Sequence, residues 1–344
     1  MDKKEVPIVI YQTDLYHPHN DPDDHFDMAT IFSLAYQGQI CLEQIIIDYP
    51  FKDCPGDPAI LAIEQLKYMT GLDVPTYIGT AVPMRDMNDT QYDIDTVNSI
   101  AVEKIAAALR KAQQPVYIII VGGCNDIAIA GRRYPELFRQ KCAGILLNAG
   151  SGVHNDDGIL EYNVQLNVSS YATIFDLPCP VFWFPCFSKV HNTGEFRLGE
   201  FGTYYAFKQC HVLQGLSPHL KNFFEYMLEQ SNDPKYLRYI DKKINENLIL
   251  KYGHMYRNMW STASILFAAG KSVSSDGTLI DYDTEGQDKL YTLDPISVTC
   301  SPTGITDWKY DASSKERFIF HIKDMQRYNS AMTKAISIIL EKIK

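Results

Sequence analysis

Short apolar, β-branched runs punctuate the first half of the chain at residues 8–11, 45–47, 75–78, 116–121, 144–147 and 180–184. Between most of them lie stretches with helical spacing of apolar residues, at 26–36, 59–69, 97–111, 127–140 and 169–175. Continuous runs such as VYIIIV suit strands buried on both faces, and the alternation of strand with helix implies βαβ units. The expected fold class is therefore α/β, a mostly parallel sheet of Rossmann-like kind with helices on both faces. After about Ser188 the pattern changes. Residues 216–230 and 256–269 are expected to be helical, 272–301 to form short strands with turns, and 329–343 to close the chain as an amphipathic helix. No repeat or Gly/Ser linker divides the sequence. One domain over residues 1–344 is expected, with 190–255 a helical insertion and a small β segment towards the end.

Charge narrows the class of partner. The 42 acidic residues outnumber 32 basic ones for a net charge of −10, and no basic run occurs. A nucleic-acid backbone or an anionic membrane needs clustered Lys and Arg, so neither is expected as a partner. The eight cysteines are scattered without C-x-x-C spacing, which points to reduced, buried thiols rather than a disulfide framework or a zinc cage. The opening MDKKEVPIVIYQTD has no long apolar leader, and no run approaches the ~20 apolar residues of a bilayer span. A cytoplasmic location is expected, and the sequence leaves room for a homo-oligomer.

In an open parallel sheet, ligands collect at the carboxyl ends of the strands. Three strand ends are conspicuously polar: Thr13 and Asp14 followed by LYHPHNDPDDH, then GGCND after VYIIIV, then SGVHNDDGILEYN after GILLNAG. The first holds Asp14, Asp21, Asp23, Asp24 and Asp27, five acids within fourteen residues, with His17, His19 and His25 among them. Helix capping accounts for one or two such acids. The rest call for a counter-ion, and carboxylates with backbone carbonyls suit Ca²⁺ or Mg²⁺. His17 and His19 keep open a zinc or manganese hydrolase, though no H-E-x-x-H motif supports it. Asn155, Asp156 and Asp157 also read as turn formers, and Arg132 with Arg133 as a solvated helix face.

The pattern strand, T-D, loop, D-P-D-D-H-F-D-M-A resembles the opening of the nucleoside hydrolase superfamily. That family shows an aspartate at the first strand end and an Asp-Asp pair opening a helix. VYIIIVGGCNDIAIAGRRYPEL and ILLNAGSGVHNDDGILEYNVQLNVSSYATIF are similar to two further family segments, and the likeness covers residues 7 to about 186, with 255–344 matching in outline only. The resemblance implies Ca²⁺ as cofactor, with Asp14 as both metal ligand and general base, Asp24 as a bidentate metal ligand, and the backbone carbonyl of Asn125 as another. Asp23, Asn155, Glu161 and Asn163 would bind the sugar.

Departures from the family pattern shape the functional expectation. Eight residues separate Asp14 from Asp23, where the family has three, and Gln12 stands at the family's first aspartate. The late His-Asp pair that closes the family's calcium shell corresponds here to Trp260 and Ser261, leaving His254 and Tyr256 as stand-in acids. The implied activity is hydrolysis of the N-glycosidic bond of a ribonucleoside or related glycoside by a metal-bound water, on a small-molecule nucleoside or sugar substrate. The alternative is a non-catalytic sugar- or nucleoside-binding protein on the same fold.

Overall fold

The apolar runs become neighbouring strands of one nine-stranded sheet. The computed structural model describes residues 5–17, 22–50, 57–95, 97–153, 158–188, 199–245, 247–284, 286 and 288–344. The sheet strands are β1 (Ile8–Thr13), β2 (Cys41–Ile47), β3 (Thr76–Ile78), β4 (Val116–Ile120), β5 (Cys142–Leu147), β6 (Val181–Trp183), β7 (Tyr291–Cys300), β8 (Thr306–Tyr310) and β9 (Arg317–Ile322). Their spatial order is β8-β7-β9-β6-β5-β4-β1-β2-β3. Every pairing from β3 across to β9 is parallel. Only β7 runs against its neighbours, β8 and β9.

Successive residues of each strand point to opposite faces, and both faces are apolar. Val9, Tyr11, Ile45, Ile47, Ile119 and Leu146 join one core; Ile10, Ile46, Ile118, Ile120, Ile145 and Leu147 join the other. The first core is covered by helices α1 (Asp23–Tyr36), α2 (Ile60–Thr70), α8 (Pro218–Leu228), α9 (Thr262–Ala268) and α10 (Tyr328–Leu340). The second is covered by α3 (Ile100–Lys111), α4 (Asn125–Arg133), α5 (Pro135–Lys141), α6 (Tyr162–Leu166) and α7 (Val168–Ile174). The layered α/β architecture is thus the one the alternating pattern implies. Among the described residues no helix is long and apolar enough to cross a membrane, and Cys41, Cys124, Cys142, Cys179, Cys186, Cys210 and Cys300 are free thiols.

Three elements differ from expectation. The helix expected over 127–140 is two helices, because Pro135 at the start of α5 has no N–H to continue α4. The helix expected over 256–269 opens instead as a strand, Tyr256–Met259, paired antiparallel with Tyr205–Lys208 inside the 190–255 segment. Arg257 and Met259 are both buried, so the real period is two; a buried arginine disguises it as polar. Finally, β9 inserts between β6 and β7, which makes the late β segment part of the main sheet.

Candidate active site

Beyond the strand ends the ladder continues for one residue or more and holds the rim in register. Asp48 N donates to Thr13 O (2.8 Å), Val121 N to Gln12 O (3.0 Å), and Asn148 N to Ile120 O (2.9 Å). Asp14 after β1, Asp48 after β2 and the glycines after β4 therefore share one edge. Both carboxylates press on Gly122: a Cβ there would lie 2.9 Å from Asp14 Oδ1 and 2.7 Å from Asp48 Oδ2. Only glycine admits that approach. Gln12 Nε2 donates to Asp48 Oδ1 (2.7 Å) and to Gly123 O (2.7 Å), while Gly123 N donates to Asp48 Oδ2 (2.5 Å). Burial, then the charges of Asp14 and Asp126, push the Asp48 carboxyl well above the usual range.

Helix α1 brings the acidic pair to the same rim. It begins at Asp23, directly after Pro22; Asp24 is buried and Asp23 half-buried. The Tyr11 hydroxyl is fully buried and has no hydrogen-bond partner among the described residues. Burial pushes this phenol well above its usual range, and the charges of Asp27, Asp24, Asp14 and Asp23 push it the same way.

Past β6, Cys186 joins the rim to the third polar segment. Burial pushes its thiol well above the usual range, followed by the charges of Glu161, Asp23 and Asp14. Asn163 Nδ2 lies 3.9 Å from Cys186 Sγ and donates to Asn148 O (3.1 Å). Glu161 is buried, with Oε2 accepting from Gly150 N (2.8 Å) and Oε1 from Asn163 N (3.0 Å), which caps α6. Burial pushes its carboxyl up to about 7, against the pull of those N–H donors. Asn163 thus reaches Cys186, and the charges of Glu161, Asp23 and Asp14 are felt at its thiol.

The other residues singled out by the sequence go elsewhere. Asn125 opens α4, and its side chain accepts from Met84 N (2.7 Å) and donates to Val82 O (3.0 Å). Asp126 beside it accepts from Thr80 N (2.9 Å), and burial raises its carboxyl to about 7. Arg132 and Arg133 donate to the carbonyls of Met87, Thr90 and Gln91. Arg133 is buried, contrary to the solvated face expected of the pair, because loop carbonyls replace its water. His17 Nε2 bonds Ser231 O (2.8 Å) and stacks on Tyr226 at 5.6 Å. Asn155, with His154, Asp156 and Asp157, lies outside the described residues, as do His19, Asp21 and His191.

The start of the late helix meets α1. Thr262 Oγ1 donates to Asp27 Oδ1 (3.4 Å), and Ser261, the residue before it, lies close enough to temper the rise of the Asp27 carboxyl. Asp27 is fully buried, and burial pushes its carboxyl up to about 7. Trp260 packs with Phe187 and Tyr204, each at 5.7 Å. His254 and Tyr256 are exposed, and Tyr256 pairs with Lys208 at the far end of its strand.

Sequence reasoning missed Asp48 and Cys186. Asp48 follows the buried run QIII, so the strand-end rule already applied to it. Cys186 carried no signal, since a thiol among aromatic residues reads as core.

Among the described residues no three His, Cys, Asp or Glu side chains gather closely enough to hold a metal by themselves. No family model matches the chain. The pyrimidine-specific ribonucleoside hydrolase RihA of Escherichia coli is 26% identical over 84 residues, 24% of this chain. The chain spans about a quarter (27%) of that relative's length. A plant nucleoside hydrolase structure superposes with a TM-score of 0.58 at 15% identity, covering 97% of this chain and 99% of its own. The fold is that of the nucleoside hydrolases. The type III effector XopQ, solved with adenosine diphosphate ribose, shares it with a TM-score of 0.51 at 13% identity, covering 98% and 94%.

Proposed function

We propose that this protein hydrolyses the N-glycosidic bond of a ribonucleoside or related glycoside, with Ca²⁺ as cofactor. The observation that carries the reading is that one sheet edge holds Asp14 and Asp48 against Gly122 and, after β5, Glu161 and Asn163 tied to Gly150 N and Asn148 O. The partial likeness to RihA and the shared fold support it.

The donor chemistry fits a hard cation. Asp14 and Asp24 supply anionic oxygens near the buried Tyr11 phenol, whose upward shift both charges reinforce. With no three acids clustered among the described residues, a cation here would need oxygens beyond Asp14 and Asp24, and the Asn125 carbonyl would be one of them. A bound cation supplies Lewis acidity to a water and offsets the carboxylate charges. Asp14 takes the proton of the attacking water, and Asp23, Glu161 and Asn163 hold the sugar hydroxyls. Their carboxylates stabilise the oxocarbenium-like sugar as the base departs. Trp260, Phe187 and Tyr204 flank this region and offer ring faces to a planar leaving group.

One observation favours the alternative, a sugar- or nucleoside-binding protein without turnover. The late helix opens with Trp260 and Ser261, and neither side chain is an acid that could protonate a leaving base. Incubation with a panel of purine and pyrimidine nucleosides, with and without Ca²⁺, decides between them. Release of reducing sugar that depends on Ca²⁺ supports the hydrolase; saturable binding without release supports the binder.

A further inference from the structure

Asp48 sits beside Asp14 at Gly122, yet its two oxygens are spent on N–H donors. Oδ1 accepts from Gln12 Nε2 at 2.7 Å and Oδ2 from Gly123 N at 2.5 Å. It is therefore placed to act through its neighbours. Gln12, fully buried, bridges the ring by donating also to Gly123 O at 2.7 Å. Its amide orientation follows from the partners, because both Asp48 Oδ1 and Gly123 O are acceptors. The outer parts of the ring are tied to the ladder, with Asp48 N on Thr13 O and Tyr16 OH on Asp48 O (3.2 Å). Three strand ends, β1, β2 and β4, are thus joined by one carboxylate and one amide.

We propose that Gln12 and Asp48 form a single positioning unit, which fixes the Gly122 and Gly123 turn against Asp14 and works only as one amide paired with one carboxylate. The complementarity is strict. An amide at 48 has one acceptor for two N–H donors, so either Gln12 or Gly123 faces another donor. A carboxylate at 12 faces Asp48 Oδ1 and the Gly123 carbonyl with no proton to give. Either change leaves a buried polar group unmatched and moves the turn against which Asp14 rests. Exchanging both restores the pair. The new amide at position 48 donates to the new carboxylate at position 12 and accepts from Gly123 N, while the carboxylate still meets the Gly123 carbonyl, so the rescue is partial. The catalytic consequence rests on the hydrolase reading, whereas the coupling between the two residues does not.

The test is a double-mutant cycle in the full chain, read by nucleoside hydrolysis with Ca²⁺ and by thermal melting. Asp48→Asn and Gln12→Glu should each lower kcat by roughly ten- to a hundredfold with KM within about threefold, because a misplaced base impairs the step rather than binding. The combined variant should recover at least about tenfold in kcat over the worse single variant, and its fall in Tm should be smaller than the two single falls added together. Single variants with wild-type kcat and Tm, or a double variant whose losses simply add, would overturn the proposal. Failure of either single variant to fold is judged the same way: a folded double variant supports the unit, and an unfolded one refutes it. If the wild type releases no sugar from any nucleoside, the hydrolase reading falls by itself, and the coupling in Tm decides for or against the positioning unit.

Discussion

Asp14 and Asp27 bound the same acid-rich stretch, yet the fold gives them opposite surroundings. Asp14 leaves the end of β1 for the sheet rim, where it meets Gly122 with Asp48 and adds its charge to the field at Cys186. Asp27 lies in the first turns of α1, fully buried, and is hydrogen-bonded to Thr262 at the start of the late helix. The first stands at the sheet rim beside the glycine turn; the second joins two helices over one face of the sheet. The run of carboxylates therefore meets different partners along its length. Backbone geometry divides it, since the strand end leaves one acid at the turn while the helix carries another to the late helix.

The comparison breaks most directly on turnover. Asp14→Asn should lower kcat for nucleoside hydrolysis by about 10²–10⁴-fold, the range for a lost general base. Asp27→Asn should keep kcat within about tenfold while lowering Tm, since it removes a buried junction rather than a reacting group. Reducing-sugar release and melting curves on both variants check this; a reversed pattern would exchange the roles.

The pH dependence of stability separates the two next. Asp27 titrates at about 7 in the fold against an ordinary value of 3.8, so the folded protein keeps a proton that the unfolded chain releases. The stabilising contribution is complete below about pH 4 and is lost as pH rises through about 7, at a slope of about 1.4 kcal/mol per pH unit between those values. Denaturant melts of the Ca²⁺-free protein from pH 4 to 8 should show this fall, and Asp27→Asn should flatten it by that amount. An unchanged slope would place Asp27 outside a proton-retaining environment.

Metal affinity sharpens the division further. Asp24→Asn should weaken Ca²⁺ binding by roughly a hundredfold, because an amide cannot give bidentate anionic ligation. Calorimetry on Asp27→Asn should find the dissociation constant within about threefold of wild type, a shift of well under 1 kcal/mol. Equal loss in both would make Asp27 part of the cation site. The smallest effect concerns Ser261. Ser261→Asp sets a second carboxylate against buried Asp27 and should cost about 1–3 kcal/mol of stability. Calcium affinity should hardly move; a clear tightening would mean that Ser261 faces the cation and not Asp27.

Legibility along the chain followed the range of the interactions involved. The six first strands and their helices were readable because each buries a face that its own residues pattern, such as Ile118, Ile119 and Ile120 alternating between the two cores. The rim was readable for a related reason, as a parallel sheet delivers the residues after each apolar run to one edge. Applied to every run, the same rule would also have singled out Asp48.

What the amino-acid order determined by itself was the layered α/β architecture and the polar strand ends, because local periodicity and turn chemistry encode both. What only the tertiary structure decided was which partners those polar residues meet. Gln12, Asp48 and Gly123 close a ring across three strands, Asp27 finds Thr262 far along the chain, and Arg257 hides inside a hairpin strand. β9 enters the sheet between strands from distant parts of the sequence. Such contacts carry no local periodicity; they form because a buried donor or acceptor must find a complement wherever packing brings one within reach.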